Sequence, residues 1–214
     1  MFRYTSTIIG SFAFAFAISA QANLITNGDF ESGASGFTSG YVLSPGNITP
    51  AGTYDVVTNP ALVHPNATSY GDHTSGSGNM LAVNGASIPG VIVWGETVVV
   101  DPSTNYDFAA YLSSWTSISP ADLLFSVNGL SIGSLAATST TGVWNLFFTT
   151  WNSGTSTSAN IQIVNANTAS SGNDFALDDI YFGNPIFSVP EPATFALMSL
   201  GLAGMCFGKR LKLT

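Results

Sequence analysis

Between Tyr4 and Gly208 the chain has no lysine and no arginine. Its four cations, Arg3, Lys209, Arg210 and Lys212, all sit at the two ends. All 12 acids lie in that cation-free stretch, and of them only Glu191 lies near the C-terminus. A surface of that kind repels phosphates, so nucleic acid is excluded as a partner. Lysine Schiff-base chemistry and arginine phosphate clamps are excluded with it. No internal Lys or Arg salt bridge can form either. The acids must be solvated or neutralised from outside, and a divalent cation is the natural neutraliser. For most of them, scattered surface charge that keeps the domain soluble is explanation enough.

Other absences narrow the function. The one cysteine, Cys206, lies near the C-terminus, so the stretch before it has no disulfide. His64 and His73 are the only histidines, and no G-x-S-x-G or H-E-x-x-H accompanies them. Each reads as a loop histidine bonded to a turn. A glycosidase needs two facing carboxylates. Asp174 with Asp178 is one such pairing, but both fall in one strand region and suit a metal better. The chain therefore reads as a non-enzyme with no catalytic residues. Outside the two ends no window carries a long helical stripe, and no solenoid repeat is present.

What is present begins with the ends. Arg3, an apolar run from Ile8 to Ile18, and Ala20-Gln21-Ala22 form a signal peptide over residues 1–22, a signal helix cut between Ala22 and Asn23. At residues 190–214 a Pro190-Glu191-Pro192 triplet precedes an uncharged run, Ala193 to Phe207, and a basic end. The prolines stop a preceding strand. The run forms a hydrophobic helix shorter than the ~20 residues that span a bilayer comfortably. It can cross a thin membrane if Lys209 and Arg210 snorkel. A core helix is disfavoured, because the run has no polar face.

This three-part tail resembles the PEP-CTERM sorting signal, also catalogued as an ice-binding-protein C-terminal domain. The resemblance implies export from a Gram-negative bacterium and transient membrane anchoring by the C-terminal helix. It implies cleavage by an exosortase-type membrane protease near Pro190, Glu191 and Pro192. The destination would be the cell surface or an extracellular polysaccharide matrix.

Residues 23–185 remain as one domain, with 186–189 as a linker. Short apolar or alternating runs separated by Gly, Asn, Pro and Ser read as strands and turns. Strands are expected near Leu24–Ile25 with Phe30, Tyr54–Thr58, Asn79–Val83, Val91–Val100, Asn105–Ser113, Leu123–Val127, Leu130–Leu135, Val143–Thr150, Ala159–Asn165 and Phe175–Phe182. Asn128-Gly129 is a two-residue hairpin turn. The class is all-β, a jelly-roll sandwich of two antiparallel sheets. The loops Ser32–Pro50 and Pro60–Gly78 are long enough to be functional. In the last strand the apolar positions switch from odd (Phe175, Leu177) to even (Ile180, Phe182) at Asp178-Asp179. A β-bulge there would re-aim both carboxylates. Paired carboxylates suit a hard, oxygen-loving cation such as calcium.

The segments Asn23–Glu31, Gly71–Gly85 and Gly172–Phe182 resemble the galactose-binding-like jelly roll of bacterial carbohydrate-binding modules. The resemblance implies a structural calcium held between the first strand, the loop before Asn79 and the last strand. Carried over, the ligands are Glu31 and Asp178, with backbone carbonyls around Thr74 to Ser77. Asp179 and Asp29 are second choices. A sugar platform needs an aromatic ring facing a groove. Trp115 is the leading candidate, with Trp94 and Trp151 behind it, whereas Trp144 reads as core. The leading function is association with extracellular polysaccharide. The alternatives are a structural or adhesion protein binding other matrix proteins, an ice binder using Thr138–Thr141 and Thr149–Thr150, and a polysaccharide hydrolase.

Overall fold

The strand with the phase change lies inside the larger of two sheets. In a computed structural model, residues 22–185 are described. The expected signal helix, the linker and the C-terminal hydrophobic helix fall outside the described residues, together with Pro190, Glu191 and Pro192. The strands are β1 (Val42–Leu43), β2 (Thr53–Val57), β3 (Met80–Asn84), β4 (Ile92–Val99), β5 (Asn105–Ser114), β6 (Asp122–Val127), β7 (Leu130–Ala136), β8 (Asn145–Asn152), β9 (Ser158–Asn165) and β10 (Phe175–Gly183). Six of them form one sheet in the order β1-β2-β3-β10-β5-β8, and four form the other, β4-β9-β6-β7. Every strand pair is antiparallel except β1 with β2. This is the expected sandwich. Among the described residues no helix is long and apolar enough to cross a membrane.

Alternation builds the core. Leu81 and Val83 of β3, Phe108, Ala110 and Leu112 of β5, and Phe175 and Leu177 of β10 point inward. They meet Phe125 and Val127 of β6 and Ile161 and Ile163 of β9. The Phe125 and Phe147 rings stack with centroids 3.9 Å apart, joining β6 of one sheet to β8 of the other. The β6–β7 hairpin turns at Asn128 (φ 52°) and Gly129 (φ 77°). Two consecutive left-handed residues match the twist of the flanking strands, which is why Asn-Gly sits there.

A second apolar cluster lies on the outer face of the six-stranded sheet. Met80, Ala82 and Ala176 point outward and are covered by Ile48, Val63 and Trp115. The covering residues come largely from the two long loops. These loops therefore roof part of the outer face and leave the rest open. The Trp115 indole N–H donates to the Phe175 carbonyl at 2.8 Å and fixes the roof to β10. Trp115→Phe, which loses that bond and leaves a gap, is expected to cost about 2 kcal/mol by chemical denaturation. An unchanged midpoint would show that the roof is not fastened there.

One expected strand is absent. Asn23 makes a single bridge to Gly183, and the Leu24 N–H donates to the Phe182 carbonyl at 2.7 Å. Beyond that the chain turns instead of extending, with Asn27 (φ 58°) and Phe30 (φ 57°) both left-handed. Phe30 is still fully buried, delivered to the core by a turn. The short β1, in contrast, forms inside a stretch that reads as loop.

Candidate functional site

The switch of phase in β10 is a bulge. Asp178 pairs with Tyr111 and Tyr181 with Ala109, so three steps on β10 face two on β5. Asp179 takes up the extra residue with φ 47°. Before the bulge Phe175 and Leu177 face the core, and after it Ile180 and Phe182 do. The bulge also turns Asp178 and Asp179 toward one loop, residues 71–79.

Asp178 is completely buried. Its Oδ2 accepts the His73 N–H at 2.8 Å and the Thr74 N–H at 3.3 Å, and its Oδ1 accepts the Asp179 N–H at 2.8 Å. Burial pushes its carboxyl up to about 7, further raised by the Asp179 charge and opposed by those N–H donors. Asp179 stands 2.6 Å from His73 Nδ1 and accepts the Thr74 hydroxyl at 2.8 Å. The His73 ring lies flat on Tyr111, with centroids 3.4 Å apart. Glu31 reaches the far end of the loop, where its Oε1 accepts the Asn79 N–H at 2.7 Å. So the acids of the first segment and of the last strand grip opposite ends of one loop.

Asp72 is the member that sequence reasoning missed. It is buried, and its carboxylate accepts the Ser75 and Gly78 N–H groups at 2.9 and 2.8 Å. Burial pushes its pKa up, but donors from Ser75, Gly78 and Ser77 outweigh that and hold it below the usual range. A side chain on Gly78 would run into both Glu31 Oε1 and Asp72 Oδ2, so these two carboxylates converge over that glycine. The signal was available: Asp followed three residues later by Ser is a self-bonded turn. Thr74 contacts Asp178 and Asp179 through its hydroxyl, whereas the Ser77 hydroxyl lies near Ser75. Asp29 lines the cleft described below.

Among the described residues no group of three or more His, Cys, Asp or Glu side chains is arranged to hold a metal ion. A site of two carboxylates completed by backbone carbonyls needs no third. The fit rests on donor chemistry. Asp178 is a buried acid in a domain without lysine or arginine, both its oxygens accept N–H donors, and the oxygen groups beside it are the Thr74 hydroxyl and the Asp179 carboxylate. Those oxygens are of the kind a hard cation takes, whereas the N–H groups are not ligands.

The tryptophans correct the expected sugar platform. Trp115 and Trp94 are fully buried, so neither offers a ring face. Trp151 is half-buried and packs beside Tyr106 and Phe182. Trp144 is half-buried against the roof cluster. The open aromatic surface lies elsewhere, on the unroofed half of the outer face. A cleft of about 530 Å³ there is lined by Tyr111, Tyr181, Phe148, Leu146, Asp29 and Asp179, among others. Cross-strand register makes it: Ala109 faces Phe148 on one side and Tyr181 on the other. Burial pushes the Tyr181 hydroxyl above its ordinary range, with the nearby Asp107 charge adding to it. The signal missed was the alternation of β5, which puts Ala109 and Tyr111 opposite Phe108 and Leu112.

With the geometry in place, the fold is a jelly-roll sandwich, similar to that of solved carbohydrate-binding modules. The xylan-binding CBM22-1 domain of Paenibacillus barcinonensis Xyn10C superposes with TM-score 0.51 at 15% identity, over 78% of this chain and 97% of its own. Enzymes share the fold too. A Stig cyclase of Fischerella sp. TAU superposes with TM-score 0.50 at 11% identity, over 77% of this chain and 98% of its own. An arabinose-bound α-L-arabinofuranosidase, MgGH51, matches with TM-score 0.51 at 14% identity, over 78% of this chain but only 27% of its own. At these identities the likeness is one of fold. The tail is more particular: residues 188–210 match the PEP-CTERM protein-sorting motif. That motif implies export, with exosortase-type processing. No curated protein matches the chain.

Proposed function

We propose that this protein is an exported, non-enzymatic domain that associates with extracellular polysaccharide through the open cleft on its six-stranded sheet. The observation that carries the reading is the unroofed patch where Tyr111, Tyr181 and Phe148 share one groove with Asp29 and Asp179. Aromatic faces cover the apolar faces of sugar rings, and the carboxylates accept their hydroxyls. Without a cation in the domain the groove favours neutral chains over uronates. The sorting tail supplies the route: membrane insertion, cleavage by an exosortase-type protease, and release to the surface or matrix of a Gram-negative cell.

Calcium belongs to the same reading. Glu31 and Asp178 would hold it, with carbonyls from Thr74 to Ser77 and with Asp179 and Asp72 beside them. The ion would fasten the opening segment, the 71–79 loop and β10 next to the cleft, and it would have no chemical step to perform.

Affinity electrophoresis of the full-length protein in neutral polysaccharide gels tests the groove. Tyr111→Ala combined with Tyr181→Ala is expected to weaken retardation at least tenfold, which corresponds to about 1.4 kcal/mol. Trp115→Phe should leave it unchanged. Equal retardation of the wild type and the tyrosine variant would remove the groove from the function.

A further inference from the structure

His73 touches two residues of the sheet-face cleft, Tyr111 and Asp179, without lining the cleft itself. Its ring lies on Tyr111 with centroids 3.4 Å apart and planes 17° apart, so it covers one face of the tyrosine. Behind it the Trp144 ring meets His73 edge-on, at 6.0 Å and 74°. Tyr70 meets Trp144 in the same way, at 6.0 Å and 75°. The Trp144 indole N–H donates to the Gly71 carbonyl at 3.3 Å, which ties this ladder to the loop that carries His73. Four rings therefore run from the roofed half of the outer face to the rim of the cleft, and Tyr111 is the last of them.

The second contact of His73 is with the groove acid. Its Nδ1 lies 2.6 Å from Asp179 Oδ2, while the Thr74 hydroxyl donates to Oδ1 at 2.8 Å. The His73 backbone N–H donates to the buried Asp178 at 2.8 Å, so the loop keeps that attachment whatever side chain stands at 73. A ring on an open sheet face can swing about its side-chain bonds. If the ligand has to order it, the entropy lost is taken from the affinity. An imidazole flat against one face of Tyr111 removes that freedom before a sugar arrives. It also occupies that face and leaves the other toward the cleft. Tyr181 is held by different means, since its hydroxyl donates to the Asn184 carbonyl at 2.8 Å. Imidazole does two things at once here: its face meets Tyr111 and a ring nitrogen meets Asp179. A phenyl ring would keep the first contact and lose the second.

We infer that His73 is the positioning residue of the groove: it holds the Tyr111 ring and the Asp179 carboxylate in the orientation that meets a sugar, and it does not touch the sugar itself. The assignment rests on the polysaccharide reading above. It makes the 71–79 loop part of the binding apparatus, because that loop delivers the ring that sets the platform. The contribution is preorganisation, so it is read in affinity rather than in stability.

The test runs the full-length protein in detergent micelles through gels of arabinoxylan, β-1,4-galactan and hydroxyethylcellulose. In the gels that retard the wild type, His73→Ala is expected to bind about fivefold more weakly, the effect of one ring left to be ordered by the ligand. His73→Phe restores a flat ring against Tyr111 and is expected to stay within about twofold of the wild type. Thermal midpoints are read on the same samples, and that of His73→Ala should fall little, because its backbone bond to Asp178 remains. If His73→Ala does not fold, His73→Asn replaces it. That variant has no ring but keeps an amide opposite Asp179, and a loss of about threefold is expected of it. Equal retardation of the wild type and the ringless variant, with Tyr111→Ala plus Tyr181→Ala released, overturns the positioning role and leaves the groove intact. A His73→Phe variant as weak as the ringless one overturns it as well. A wild type that runs unretarded in every gel overturns the polysaccharide reading, and the role given to His73 falls with it.

Discussion

Replacing Asp178 by alanine is expected to destabilise the domain by about 3–5 kcal/mol and to abolish any stabilisation by calcium. The first effect follows from hydrogen bonding. Three backbone N–H groups, of His73, Thr74 and Asp179, converge on this fully buried carboxylate. Removing the acceptor leaves them buried without partners, at roughly 1–3 kcal/mol for each group that water cannot reach. The second follows from linkage. An ion that binds only the folded chain stabilises it by about 2.7 kcal/mol when its concentration is a hundredfold above Kd. For the wild type, thermal midpoints should therefore rise with calcium and fall with EDTA. In Asp178→Ala and in Glu31→Gln the two curves should coincide. Glu31→Gln is the more telling variant, because its exposed side chain makes a single bond to Asn79. It should fold nearly as well as the wild type. A wild-type midpoint indifferent to both calcium and EDTA would dispose of the ion.

Much of this fold could be read directly from the chain. β2 to β10 lie within a residue or two of the runs that suggest them, because each is an alternating apolar segment closed by turn residues. The bulge was legible for the same reason: alternation in Phe175–Phe182 breaks at one place, and an extra residue is the simple cause. The convergence of Glu31 and Asp178 on residues 71–79 was legible only through a resemblance. Nothing in their spacing brings positions 31 and 178 to one loop. The first segment was misread because Leu24, Ile25 and Phe30 are apolar. Left-handed residues at Asn27 and Phe30 convert the expected strand into a turn that buries the same side chains. The tryptophans were misread for a different reason. Trp115 stands at a strand end beside Ser and Thr, where a ring often faces solvent. Sequence gives no hint that Ile48, Val63 and Met80 would cover it. The open rings belong to Tyr111, Tyr181 and Phe148, whose exposure depends on which half of the sheet the loops fail to roof.

Asp174 should make the domain less stable as the pH rises from about 4 to about 7. In the unfolded chain this acid titrates near 3.8. In the fold burial pushes it up to about 7, and the Gly85 N–H bond only partly opposes the shift. Between those two values the folded state keeps a proton that the unfolded state has lost. The stability tied to that proton is complete below pH ~4, declines through the window and is gone above ~7. At about 1.4 kcal/mol per pH unit, the whole change is on the order of 4 kcal/mol. Asp174→Asn keeps the oxygen that accepts the Gly85 N–H and cannot ionise. Its denaturation midpoint should match the wild type near pH 4 and exceed it at pH 8. Asp178 shifts in the same direction, so both proteins are compared at one calcium concentration and the difference between them is read. If the two midpoints run parallel from pH 4 to 8, the carboxyl ionises in the fold in the ordinary carboxylate range and burial has not raised it.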